Sequence, residues 1–148
     1  PIYNDDIIYT PAVTVFKTDT EQPEIMDTFD WYNVDVITCA APNLRVKNNY
    51  NGKSSYNNAK KMTNDELLKL HEKRLKRILD TALSEDDETI ILGAFGCGAF
   101  MNDPQIVAQA AKNVIREYLY SFKNIEFAVY CSPRDDRNYR IFDRVLKK

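Results

Sequence analysis

"LGAFGCGAFMNDP", residues 92–104, decides how this 148-residue chain folds. It carries Gly93, Gly96 and Gly98, three of the chain's four glycines; the fourth, Gly52, sits in a polar stretch far upstream. The apolar run "TIILGAF", residues 89–95, feeds directly into it and reads as a buried strand. Asp103-Pro104 closes it, with Asp as N-cap and Pro at the first helical position predicting a helix from residue 104. The stretch is a glycine-rich connection from a strand to a helix. In open α/β sheets, ligands bind at such places.

The flanking sequence supplies the elements on either side. "IIYTPAVTVFK", residues 7–17, is rich in β-branched and aromatic residues, and Pro11 marks an edge or a bend within it. "NVDVITCAAP", residues 33–42, reads as a second buried strand ended by Pro42. Thr63-Asn64-Asp65-Glu66 has the spacing of a capping box and predicts a helix. Leu67, Leu68, His71, Leu75, Ile78, Leu79 and Ala82 form its apolar stripe, with Lys69, Lys73, Arg74, Lys76 and Arg77 mostly off that stripe. In the second helix Val107, Ala111, Val114, Ile115, Tyr118 and Phe122 mark the buried face. "NIEFAVYCSP", residues 124–133, is a further strand. A short terminal helix buries Tyr139 or Ile141 with Phe142, Val145 and Leu146.

The order strand, strand, helix, strand, helix, strand, helix predicts an α/β fold with a partly parallel sheet. The length fits one domain. Residues 43–62 form a long polar connection rich in Asn, Ser and Lys, whose composition favours a solvated or disordered loop over a binding role.

Composition narrows the function classes. A net charge of −2 gives no electrostatic case for nucleic acid or an anionic membrane. No apolar run approaches the roughly 18 residues of a membrane span, and no signal peptide is visible. Cys39, Cys97 and Cys131 are widely spaced and odd in number, as expected in the cytoplasm; with His71 the single histidine, no metal site or cofactor is expected. The chain opens on Pro1 rather than Met, which raises the expectation that it is a portion of something longer.

The glycine spacing is G-x-x-G-x-G. It differs from the dinucleotide G-x-G-x-x-G and lacks the Lys-Ser/Thr of a triphosphate loop. Two readings stand: a tight strand-to-helix turn, or a nest of N–H groups that holds a phosphate. Cys97 could be a thiol nucleophile at a helix amino terminus, but His71 lies mid-helix on the apolar stripe, where it is a packed residue rather than a base. Phe95 and Phe100 flank the glycines and read as core residues, with the alternative that Phe100, beyond the last glycine, presents its ring to a sugar or base. The acidic pairs Asp5-Asp6 and Asp135-Asp136 and the run 85–88 read as solvated turns, so no catalytic acid is assigned.

"DIIYTPAVTVFK", "VITCAAPN" and "LGAFGCGAFMNDP", in that order, resemble the microbial-type poly(ADP-ribose) glycohydrolases, which are macro domains. The resemblance runs over nearly the whole chain. It implies a macro-domain-like mixed sheet flanked by helices, and a C-terminal portion of it. It implies ADP-ribose, or a related nucleotide diphosphate, held by the backbone at Gly96, Cys97, Gly98 and Ala99 together with Gly93. Phe100 would lie beside the distal ribose, and Tyr130 to Ser132 near the adenine. In that family hydrolysis belongs to a glycine-rich motif ending in adjacent glutamates, which precedes the segment matching residues 7–17. This chain holds neither Gly-Gly nor Glu-Glu. The resemblance thus implies a binding portion that needs an N-terminal segment to hydrolyse ADP-ribosyl linkages. A non-catalytic reader, or a structural domain with a decayed site, stands as the alternative.

Overall fold

The computed structural model describes residues 4–45 and 62–147. Most of the polar connection 43–62 lies outside these residues. Strands β1 (Ile7–Val15) and β2 (Tyr32–Cys39) pair antiparallel, with Ile7 opposite Cys39 and Val15 opposite Tyr32. The bend expected at Pro11 is a bulge: the register shifts between Thr10 and Val13, and Ala12 takes a φ of 55°. Proline cannot donate to the ladder, and the Ala12 N–H turns instead to the Asp35 carboxylate at 2.7 Å. Residues 28–30 add a 3-10 turn ahead of β2. There Trp31 donates its indole N–H to the Met26 carbonyl at 3.0 Å and packs its ring on Phe16.

Helix α1 (Asn64–Ser84) starts at the predicted capping box. The Thr63 hydroxyl accepts from the Glu66 N–H at 3.2 Å, and the Glu66 carboxylate accepts from the Thr63 N–H at 2.8 Å. Leu67, His71, Ile78, Leu79 and Ala82 are buried as the stripe requires. Arg74 departs from the expectation that it lies off the stripe, because it too is buried. Its place three residues after His71 and four before Ile78 puts it on the inner face.

β3 (Thr89–Leu92), α2 (Pro104–Ile115), β4 (Asn124–Phe127) and α3 (Arg137–Leu146) complete the order. β3 and β4 pair in parallel, Thr89 opposite Asn124 and Leu92 opposite Phe127. Both strands are shorter than expected, since the chain leaves the ladder at Gly93 and Ala128. The Asp103 carboxylate caps α2 by accepting from the Gln105 N–H at 2.9 Å, with Pro104 in its first turn. In α3, Phe142 and Val145 are buried, Ile141 packs against them, and Tyr139 is exposed.

One face of both strand pairs carries the core. Ile78, Leu79 and Ala82 of α1 and Val114 of α2 meet Ile90 of β3, and Ile7, Ile37, Cys39, Leu92 and Ile125 pack against them. A second cluster gathers Val107, Ala108, Phe142 and Val145, joined by Phe95, Cys97 and Phe127. The result is the expected mixed α/β arrangement of sheet and flanking helices. Among the described residues, however, the strands form two pairs with no ladder between β2 and β3. No helix among them is long and apolar enough to cross a membrane.

Candidate functional site

The carboxyl ends of β2 and β3 meet at the glycine loop. After β3, residues 94–97 form a turn closed by the Cys97 N–H and the Ala94 carbonyl at 3.0 Å. Gly96 has a φ of 75°, the left-handed conformation that the third position of a type II turn demands. A Cβ there would stand 2.6 Å from Asn102 Nδ2 and 2.7 Å from Ala41 Cβ. The turn at 98–101 follows, with the Met101 N–H donating to the Gly98 carbonyl at 2.9 Å. Gly98 differs from Gly96. A Cβ on Gly98 would meet nothing within 4 Å, and its φ is not left-handed.

Asn102 and Arg74 hold this arrangement together, and the sequence reading assigned neither a role at the loop. Asn102 is buried and donates Nδ2 to the Pro42 carbonyl at 2.7 Å and to the Gly96 carbonyl at 2.9 Å. The Leu44 N–H donates to the Phe100 carbonyl at 3.0 Å. Arg74 donates Nη1 to the Ala40 carbonyl at 2.8 Å. Residues 40–44 are therefore clamped between α1 and the glycine loop. A signal for Asn102 was available: an amide directly before an N-cap, inside a loop full of backbone turns, is suited to bonding main-chain groups.

His71 completes the clamp. Its Nε2 lies 3.0 Å from Asn102 Oδ1. Because the Asn102 amide nitrogen already donates twice, Oδ1 accepts and the histidine carries its proton on Nε2. Nδ1 is then an unpartnered buried acceptor. Phe95 stands edge-on to the ring, 5.9 Å between centroids. Burial chiefly, and the Arg74 charge less, push the His71 pKa below its ordinary 6.5, although the bond to Asn102 acts the other way. The unfolded chain therefore takes up a proton that the folded chain resists. Stability from this group is present above about pH 6.5 and is lost as pH falls toward the folded pKa. Urea midpoints from pH 7.5 to 5 should fall for the native chain and fall less for His71→Gln; parallel slopes would show that His71 does not titrate this way.

The residues read as ligand-binding fall into two groups. Gly93, Gly96, Cys97, Gly98, Ala99 and Phe100 share the loop. Tyr130 and Ser132 follow β4, where Tyr130 is exposed and Ser132 closes a small turn with Asp135. β4 runs parallel to β3, so both groups leave the same end of the sheet. Within the loop, the Cys97 N–H is committed to Ala94, whereas the N–H groups of Gly98 and Ala99 meet no acceptor among the described residues. The α2 amino terminus already holds its own Asp103 carboxylate, so the loop, not the helix end, presents the available donors.

The Cys97 side chain offers no thiolate. Burial, with the Asp103 charge adding to it, pushes the thiol pKa up to about 12. Phe95 packs against the core, as its reading had it. Among the described residues no cluster of His, Cys, Asp and Glu could hold a metal ion.

No protein-family model matches the sequence, and no curated protein does. Solved structures do match. Poly(ADP-ribose) glycohydrolase from Deinococcus radiodurans in complex with ADP-ribose aligns at a TM-score of 0.79 and 26% identity, over 99% of this chain and 54% of that one. The Thermomonospora curvata enzyme aligns at 0.78 and 28%, over 98% of this chain and 48% of that one. Its structure bound to the inhibitor ADP-HPD gives 0.77 and 28%, over 97% and 50%. The chain has the fold of the microbial poly(ADP-ribose) glycohydrolases and spans about half their length.

Proposed function

We propose that residues 93–100 hold the diphosphate of ADP-ribose, and that the chain is the ligand-binding, C-terminal portion of a microbial poly(ADP-ribose) glycohydrolase-like protein. The carrying observation is the pair of N–H donors at Gly98 and Ala99, without acceptors among the described residues, at a loop with open space over Gly98. Such donors stabilise an anion without needing a charged side chain. Phe100 would face the ribose, and Tyr130 with Ser132 the adenine end. The matched Deinococcus structure, bound to ADP-ribose, supports this choice of ligand.

In this reading hydrolysis of the glycosidic bond belongs to glutamates outside these 148 residues. The loop contributes orientation: it fixes the diphosphate, so that the distal ribose is presented to whatever acid acts on it. Its thiol is neutral and the Asp103 carboxylate is occupied at the helix cap. That the loop itself presents donors and no such acid favours, as a second reading, a module that binds ADP-ribose without cleaving it. Free thiols at Cys39, Cys97 and Cys131 fit a cytoplasmic setting.

Calorimetry with ADP-ribose tests the binding. Gly98→Glu should leave thermal stability nearly unchanged, because its Cβ enters open space, yet weaken binding by at least about a hundred-fold by placing a carboxylate where the diphosphate sits. Equal heats from both proteins would contradict the proposal. Release of ADP-ribose from poly(ADP-ribose) by the 148-residue chain alone would contradict the assignment of catalysis elsewhere.

A further inference from the structure

Among the described residues, one buried polar side-chain atom has no hydrogen-bond partner, and it is His71 Nδ1. The same ring holds the clamp through its other nitrogen, with Nε2 3.0 Å from Asn102 Oδ1. Asn102 passes that hold to two segments. Its Nδ2 and its backbone N–H both end on the Gly96 carbonyl, at 2.9 Å and 3.1 Å, and Nδ2 also reaches the Pro42 carbonyl at 2.7 Å. The Leu44 N–H, 3.0 Å from the Phe100 carbonyl, ties the segments a second time. Neither residues 40–44 nor residues 98–102 belong to the two apolar clusters that join the helices to the strands. Their positions rest on polar contacts, and those of Asn102 lead back to one imidazole.

A second proton on that imidazole finds no acceptor in the closed structure. His71 is 2% exposed and lines a cavity of about 60 Å3 with Leu75, Ile78, Leu92, Val107, Phe127 and Phe142 among its walls. There β3, β4, α2 and α3 present no titratable side chain. On the same helix, Arg74 is a cation and Glu72 accepts from Asn113 at 2.6 Å. In the loop, the Cys97 thiol is neutral and the Asp103 carboxylate is held at the α2 cap. A water brought in to serve Nδ1 would need about two to four polar partners, and every other side chain in the walls is apolar. An imidazolium here keeps a buried N–H without an acceptor, within reach of the Arg74 charge. The ring can take the proton only by leaving its place, and the Asn102 amide then loses its donor.

We propose that His71 is a positioning residue that makes the glycine loop acid-labile: a proton taken from solvent at Nδ1 expels the ring from Asn102, and residues 40–44 and 98–102 open together. The opening is local, since the apolar clusters of Leu79, Val114 and Phe142 lie outside it. Linkage sets its size. The closed form resists the proton and the open form takes it at the ordinary value of 6.5, so opening grows as pH falls through that value. From pH 7.5 to pH 5 the open population rises by up to about thirty-fold. The inference does not depend on the diphosphate reading, because the loop opens whether or not it binds ADP-ribose.

Amide hydrogen exchange of the ligand-free chain, corrected for the intrinsic effect of pH, tests this. Protection of the hydrogen-bonded Leu44, Met101 and Asn102 amides should fall at least about five-fold between pH 7.5 and pH 5, with the fall beginning near pH 6.5. His71 is the chain's single histidine, so a profile of that shape assigns the titrating group. At pH 5 these amides should exchange at a rate that urea below about 1 M leaves unchanged, while Val114 in α2 accelerates, because only global unfolding exposes much surface. His71→Gln keeps a donor for Asn102 and cannot take the proton; its loop should remain as protected at pH 5 as at pH 7.5. His71→Met has no donor and should show low loop protection at both values. Native protection that is independent of pH, a fall that persists in His71→Gln, or loop exchange that follows urea as steeply as Val114 would each overturn the proposal. The native pH and urea profiles decide it even if a substitution unfolds the chain.

Discussion

Gly96→Ala should cost the fold about 3 kcal/mol, through left-handed backbone strain of about 1–2 kcal/mol and overpacking of similar size. The Cβ would have to share space with Asn102 Nδ2 at 2.6 Å and Ala41 Cβ at 2.7 Å. Neither neighbour can yield cheaply. Asn102 is tied to His71, Pro42 and the Gly96 carbonyl, and Ala41 sits in the clamped segment after β2. The damage therefore spreads from the loop to the carboxyl end of β2. Urea denaturation checks this, with Gly98→Ala as the control expected within about 0.5 kcal/mol of native. Equal losses at the two glycines would show that the turn geometry assigned to Gly96 is wrong.

Arg74→Met should be about as damaging, at about 3 kcal/mol, because it removes a fully enclosed cation from a partly exposed carboxylate and two backbone carbonyls that accept its hydrogen bonds. The guanidinium is fully enclosed and donates Nε to Asp5 Oδ1 at 3.0 Å, Nη1 to the Ala40 carbonyl at 2.8 Å and Nη2 to the Asn4 carbonyl at 3.2 Å. It thus joins α1 to the segment before β1 and the segment after β2. Lys73 meets the same Asp5 from the surface, and that exposed pair is worth under about 1 kcal/mol. Lys73→Met is the matched control. If both variants lose the same stability, the Arg74 network contributes no more than a surface pair.

These two residues mark where the sequence was and was not legible. The caps of α1 and α2 could be read because Thr63 with Glu66, and Asp103 with Gln105, act over two or three residues. The bulge at Ala12 was signalled by Pro11, whose missing N–H is a local property. The glycine loop was legible as a connection. Its internal division was not, since Gly96 is set by Asn102 and Ala41, the latter 55 positions away, while a Cβ on Gly98 would meet no atom within 4 Å. Arg74 was misplaced because a cation on a charged helix is ordinarily solvated; its acceptors, Asn4, Asp5 and Ala40, lie at least 34 residues away in sequence. The open cleft between β2 and β3 was illegible for the same reason. Strand spacing is a long-range outcome, and apolar runs such as residues 34–37 read alike whether or not their edge is paired.

Backbone amide shifts during a titration with ADP-ribose test the phosphate loop most directly. The largest shifts should fall on Gly98 and Ala99, with smaller ones at Gly96, Phe100 and Tyr130, and they should vanish in Gly98→Glu while that variant keeps its native spectrum elsewhere. Saturable shifts centred on any other part of the chain, or none at millimolar ligand, would contradict the assignment of this loop as the diphosphate site.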